Sequence, residues 1–361
     1  MGAPDTYPTR TVLVAPDSFK GSLTSVEVAH ALAAGWARAR PRDRLVLCPL
    51  ADGGEGTLAA IEASGGWVRQ HARVHDPLGR SVEAAWLLSA DGHRGCVEMA
   101  QASGLSLVRA DERDPIAATS VGTGELMRTA VDSGIGHLIL GIGGSATTDG
   151  GRGLIEALDG TQLDHVALEV ACDVSNPLLG PSGAAAIYGP QKGATADDIV
   201  RLDERNAAWA DELEALTGRH ERDTPGAGAA GGVGFALLAI QDRFRSFALR
   251  PGVELVMEAA SFDDRLARAD LVITGEGRID GQTAFGKTAL GVARRARAAG
   301  VPCIAVGGGV EVAGIDALAA VGVVAVPIVE RPQTIDEAMA AGPAPLERCA
   351  ERLARLIDLV H

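Results

Sequence analysis

Carboxylates recur in this chain beside glycine, where aliphatic runs end. "VLVAPDSFKGS" carries Asp17 and Lys20, and "PLADGGEGT" sets Asp52 and Glu55 three apart around two glycines. "GIGGSATTDGG" carries Asp149, "EVACDVSN" carries Asp173, and "LVITGEGRIDGQ" carries Glu276, Arg278 and Asp280. These residue types suit phosphoryl transfer, which needs metal ligands and often a base beside the acceptor hydroxyl. Open α/β sheets build their sites at strand C-termini. Any one of these acids is equally well a turn or helix-cap residue; their recurrence points to chemistry.

Glycine loops supply the matching half. In Gly143-Gly144-Ser145-Ala146-Thr147, backbone N–H groups can converge on phosphate oxygens, and Ser145, Thr147 and Thr148 can add hydroxyl donors. Lysine usage is selective: of 33 basic residues only Lys20, Lys192 and Lys287 are lysines, and each touches a glycine. A compact ammonium is common in phosphate sites.

Three glycine patterns imitate known motifs. Gly141-x-Gly143-x-x-Ala146 fits a dinucleotide fingerprint, but further glycines and an aspartate follow where a helix should start. Gly226-x-Gly228-x-x-Gly231 follows no strand; it reads either as close helix packing or as an anion-receiving helix start. Gly281 to Thr288 spells a P-loop. However, the strand is expected to end at residue 274, six residues early, and the next strand, "PCIAVGG", offers no aspartate for magnesium. "GGSAT" lacks the second glycine of a serine-hydrolase elbow.

The elements that must position these residues are legible. "TVLVAP" reads as a buried strand, residues 22–41 as an amphipathic helix, and 44–52 as a second strand, so the chain opens as β-α-β-α toward a parallel sheet. Residues 73–105 read as a meander, 119–135 and 196–216 as helices, and the end returns to alternating helix and strand. The expected fold is α/β with two domains, one formed by 1–72 plus 285–361 and one inserted over 73–284, with the active site in the cleft between them. Five dispersed cysteines without a CxxC pair argue against a disulfide framework and for a reducing, cytoplasmic setting. The net charge of −14 argues against nucleic acid, and no apolar stretch is long enough for a membrane span. Nothing indicates the oligomeric state.

Taken together, "VLVAPDSFKGSLTS", "PLADGGEGT", "GIGGSATTDGG", "ACDVSNPLLGPSGAAAIYGPQKGAT", "PGAGAAGGVGFAL" and "ADLVITGEGRIDGQTAFGK" resemble the bacterial-type glycerate kinase family, which is unrelated to Walker-type kinases. The resemblance implies ATP- and Mg2+-dependent phosphorylation of D-glycerate in organic-acid catabolism, with 2-phosphoglycerate as the usual product. It implies a flavodoxin-like domain and an inserted domain with a restriction-endonuclease-like core. Two departures stand out: Thr148 replaces the family's usual asparagine, and the segment 152–170 is short. A kinase for a related hydroxy acid, a dinucleotide-dependent dehydrogenase and a nonenzymatic glycerate sensor are the alternatives.

Roles follow from chemistry. Lys20 and Arg278 suit the glycerate carboxylate, with Asp17 and Glu276 nearby in type and setting. Asp173 or Asp280 is the expected base, with Asp17 third. Gly143, Gly144, Ser145, Ala146, Thr147 and Gly228 are expected to cradle ATP, and Lys192 or Lys287 to neutralise developing charge. Asp52, Glu55 and Asp149 are the expected magnesium ligands.

Overall fold

The computed structural model describes residues 8–281 and 288–357. The first elements are β1 (Thr11–Val14), α1 (Ser25–Ala39), β2 (Arg44–Leu47), α2 (Thr57–Ala63), β3 (Trp67–His75), β4 (Ser81–Ser89) and β5 (Arg94–Glu98). Then come α3 (Ala100–Ser103), α4 (Val121–Asp132), β6 (His137–Gly141), α5 (Arg152–Ala157), β7 (Ala167–Ala171), α6 (Ala184–Tyr188) and α7 (Ala196–Thr217). The chain continues through α8 (Val233–Ala239), β8 (Ser246–Arg250), α9 (Gly252–Ala259), α10 (Phe262–Leu266), β9 (Leu271–Ile279) and α11 (Thr288–Ala298). It ends with β10 (Cys303–Val310), α12 (Val312–Ala319), β11 (Val324–Pro327), α13 (Ile335–Ala340) and α14 (Ala344–Ile357).

Two compact units result. The first comprises residues up to Asp52, Ala59–Gly65 and everything from Val256; the second comprises Gly53–Leu58 and Gly66–Leu255. Both boundaries differ from expectation. The return lies near 256 rather than 285, because β9 pairs with both β1 and β10 and is the middle strand of the first unit's sheet. The inserted unit begins near 66 rather than 73, because β3 pairs with β4 from Trp67 onward. The short excursion at Gly53 has a steric cause: a Cβ on Gly141 would stand 2.5 Å from the Gly53 carbonyl oxygen, and one on Gly143 would stand 2.5 Å from Gly54 Cα. Only glycine backbone allows the two loops that contact.

In the first unit five parallel strands run in the order β2-β1-β9-β10-β11, the flavodoxin-like order. Val12, Val14, Ile273 and Val306 form its sheet core, covered by α1 and α14. Thr24 and Glu27 close a capping box at the start of α1. Gly35 lets α14 approach: a Cβ there would meet the Glu347 carbonyl oxygen at 1.9 Å. β9 extends to Ile279, five residues past the expected end, so Glu276 and Arg278 lie on a strand rather than in a loop.

The second unit carries a mixed sheet in the order β3-β4-β5-β6-β7-β8. The β3-β4-β5 meander is antiparallel, and β5 through β8 are parallel. Leu138 and Leu140 of β6, Leu168 and Val170 of β7, and the wholly buried α8 fill one continuous core.

Candidate active site

In the first unit a cavity of about 540 Å3 opens at the C-terminal ends of the parallel strands. That is the place the order reversal between β1 and β9 predicts. The β1–β9 ladder continues beyond the strand: Ala15 N–H donates to the Ile273 carbonyl at 2.7 Å and Asp17 N–H to the Gly275 carbonyl at 2.8 Å. Asp17 therefore enters the cavity from a fixed backbone. Its Oδ2 accepts from Thr288 Oγ1 at 2.5 Å and its Oδ1 from Ser18 N–H at 2.6 Å. Burial, and then the charge of Asp52, push its carboxyl above the usual range.

Asp52, Glu276, Lys20 and Arg278 line the same cavity. Lys20 is exposed and pairs with Asp52 at 3.3 Å, and that partner raises its pKa. Arg278 pairs with Glu311 and, at 3.3 Å, with Asp280. Asp17, Lys20, Glu276 and Arg278 thus line one cavity, and Asp52 lines it with them. Thr288, which orients Asp17, and the cavity's apolar wall were not anticipated. In the sequence Thr288 stands only as the last residue of the P-loop imitation, and Ile335 and Met339 carry no motif.

In the second unit the loop after β6 is used differently. Gly144 is exposed, but Ser145, Thr147 and Thr148 are buried, so their hydroxyls are not presented to solvent. Lys192 is only 2% exposed. Its Nζ donates to Ser145 Oγ at 3.0 Å and to the Thr147 carbonyl at 2.5 Å. Lys192 thus holds the loop from beneath, and desolvation lowers its pKa to about 7.

Asp149 is likewise a scaffold residue. Its Oδ2 accepts from Ser120 N–H and Oγ, both at 2.8 Å, and from Gly153 N–H at 3.2 Å; its Oδ1 accepts from Gly151 N–H at 3.2 Å. The carboxylate ties the start of α5 to the start of α4. Among the described residues no group of three or more His, Cys, Asp or Glu side chains forms that could hold a metal ion. Glu55 lies against the glycine loop, its Cβ 3.9 Å from where a Gly144 Cβ would stand.

Gly228 lies in a tightly packed segment. A Cβ there would meet the Pro177 carbonyl oxygen at 2.2 Å, and one on Gly231 the Thr147 carbonyl oxygen at 1.9 Å, so this motif serves close packing within the core. Asp173 is exposed in the second unit, with Oδ1 accepting from Gly252 N–H at 3.0 Å. Lys287 lies outside the described residues. Sequence reasoning missed Glu98, fully buried at the end of β5, which accepts from Gly56 N–H at 3.2 Å and Leu58 N–H at 3.0 Å. Burial raises its pKa.

The model of the glycerate kinase family matches residues 12–167 and 159–358. The chain belongs to the glycerate kinase family. It is 43% identical to a glycerate kinase of Halalkalibacterium halodurans, over 95% of this chain and 97% of that one. It is 42% identical to the glycerate 2-kinase of Escherichia coli K12, over 82% and 84% respectively. A crystal structure assigned as glycerate kinase 2 from Salmonella typhimurium LT2 superposes with a TM-score of 0.82 at 38% identity, covering 98% of this chain and 99% of that one. Family membership makes this glycerate kinase relative a kinase and leaves no support for a dehydrogenase or a nonenzymatic sensor. Among the described residues no helix is long and apolar enough to cross a membrane.

Proposed function

We propose that this chain transfers the γ-phosphoryl group of ATP to D-glycerate, giving 2-phosphoglycerate. The observation that carries the reading is the first unit's cavity, where Asp17, Asp52 and Glu276 meet Lys20 and Arg278 in a chain of this family. Lys20 and Arg278 receive the glycerate carboxylate through charge-assisted hydrogen bonds. Asp17 takes the proton of the acceptor hydroxyl. Ser18 and Thr288 fix its orientation, and its raised pKa brings it closer to the neutral range in which a general base works best. Asp280, ion-paired to Arg278, orients that guanidinium.

Mg2+ fits the hard oxygen donors of this cavity, since it commonly binds through one or two carboxylates together with phosphate oxygens. Asp52 and Glu276 would hold it, and it would neutralise charge on the transferring group.

Coupled ADP release with D-glycerate, followed by NMR of the product, tests the reading. The expected result is ATP-dependent turnover with phosphate on the 2-hydroxyl. Absence of turnover overturns the activity, and exclusive 3-phosphoglycerate overturns the regiochemistry.

A further inference from the structure

The first unit's cavity has two unlike sides. One carries the carboxylates and cations already described. The other is apolar: Ile328 and Val329 follow β11, and Ile335, Ala338 and Met339 come from α13. Ile335 is 78% exposed, so its apolar face is open to a ligand in the cavity. Met339 reaches across, its Cε 3.1 Å from where a Cβ on Gly21 would stand.

Between the two sides runs a strip without side chains, made by Gly277, Gly308 and Gly309. Protein packing accounts for two of these glycines. A Cβ on Gly277 would stand 3.1 Å from Phe19 Cα, and one on Gly308 would stand 2.6 Å from the Gly277 carbonyl oxygen. Gly309 is different. The nearest atom to its Cβ position is Arg278 Cγ at 3.9 Å, and its backbone is not left-handed. Among the described residues nothing requires glycine there, and the position is open on the lining of the cavity.

The two reactants differ in what such a surface can hold. Glycerate carries an oxygen on every carbon, and burying it against isoleucine and methionine would strip water without returning hydrogen bonds. Adenine is flat and has large apolar faces that suit aliphatic and thioether contacts. The cavity volume also falls in the range of roughly 300–1,000 Å3 typical of nucleotide- or drug-sized ligands.

We propose that the adenine ring of ATP lies on the bare backbone of Gly309, covered by Ile328, Ile335 and Met339. The inference rests on the reading of this chain as an ATP-dependent kinase, and names the place where that kinase holds the base. The side-chain-free strip is the seat and α13 is the cover.

The test uses the full chain. Gly309→Val places a branched side chain where the ring would lie. ATP KM is expected to rise about tenfold, equivalent to about 1.4 kcal/mol, with glycerate KM and the thermal midpoint unchanged. Ile335→Asp, at a surface position that does not threaten folding, should raise ATP KM in the same direction. Photolabelling of the wild-type chain with 8-azido-ATP should mark the peptide spanning 328–343. Wild-type ATP KM in both variants, or labelling confined to the second unit, overturns the proposal. If the wild type phosphorylates glycerate while both variants keep its ATP KM, the base site alone is wrong. If the wild type shows no turnover, the functional reading is wrong, and the photolabel still decides where adenine binds.

Discussion

Both units place acids and glycines at the ends of parallel strands and set a lysine beside them, yet they use these residues in opposite ways. In the first unit Lys20 is exposed beside Asp52, and that carboxylate raises its pKa. In the second, Lys192 is buried beneath its own loop, and desolvation lowers its pKa to about 7. Asp17 lines a cavity, whereas Asp149 has five protein donors on its two oxygens. The difference teaches that a glycine-rich acidic motif does not declare whether it faces a ligand or the scaffold. Burial and the origin of the partner groups decide.

The sharpest way to break this comparison is Asp17→Asn. If Asp17 is the base, kcat should fall by about 10²–10⁴-fold while the chain stays folded. A raised carboxyl pKa means the folded state holds its proton more tightly than the unfolded state. Stability from this group is therefore greatest at low pH and is lost as pH rises from the unfolded pKa through the folded one. The asparagine variant, measured by thermal melting, should show a smaller decline with pH and no loss of stability at neutral pH. Retained turnover would remove the cavity's claim to the reacting centre.

Asp149→Ala should cost the next most, about 3 kcal/mol for hydrogen bonds to a charged acceptor, read from the urea midpoint. If the carboxylate acts only as scaffold, the Mg2+ concentration dependence of residual activity should not move. An altered Mg2+ requirement with native stability would reverse that assignment.

Lys192→Met should cost about 1–3 kcal/mol through two lost buried hydrogen bonds. It also carries a pH signature. With the folded pKa near 7 and the unfolded value at 10.5, the unfolded chain binds more protons between these limits, so wild-type stability gains from this group as pH rises across that window. Denaturant titrations at pH 7 and pH 9.5 should show that gain shrinking in the methionine variant. Lys20→Met should be the mildest for stability, at most about 1 kcal/mol for an exposed pair, yet it should raise glycerate KM. A Lys20 variant with unchanged glycerate KM would place the substrate carboxylate elsewhere.

Much of the frame was legible in the sequence. The opening β-α-β-α order and the meander both appear, though the meander starts at Trp67 rather than 73, because each rests on local patterning. The extent of β9 was not legible. Gly275 and Gly277 look like strand breakers, but a Cβ on Gly275 would stand 2.5 Å from the Val306 carbonyl oxygen, so the glycine there serves a neighbouring strand. The clamp on Asp149 was hidden for a similar reason, since Ser120 lies 29 residues away along the chain. Within the site, the polar residues Asp17, Lys20, Asp52, Glu276 and Arg278 were readable from composition beside glycine. The apolar wall was not, because Ile335 and Met339 have the spacing of any amphipathic turn, and only the structure shows them beside the cavity.

Lys192 has one more consequence. An amine whose pKa is about 7 is largely nucleophilic at mildly alkaline pH, but here it is sealed under the loop it supports. An acylating reagent can reach it only during moments when the loop lifts. The chain has just two other lysines, so the acylation of a single tryptic peptide can be followed over time with little interference. Its rate, with and without ATP, would time the opening of the loop: the residue that latches it is also its clock.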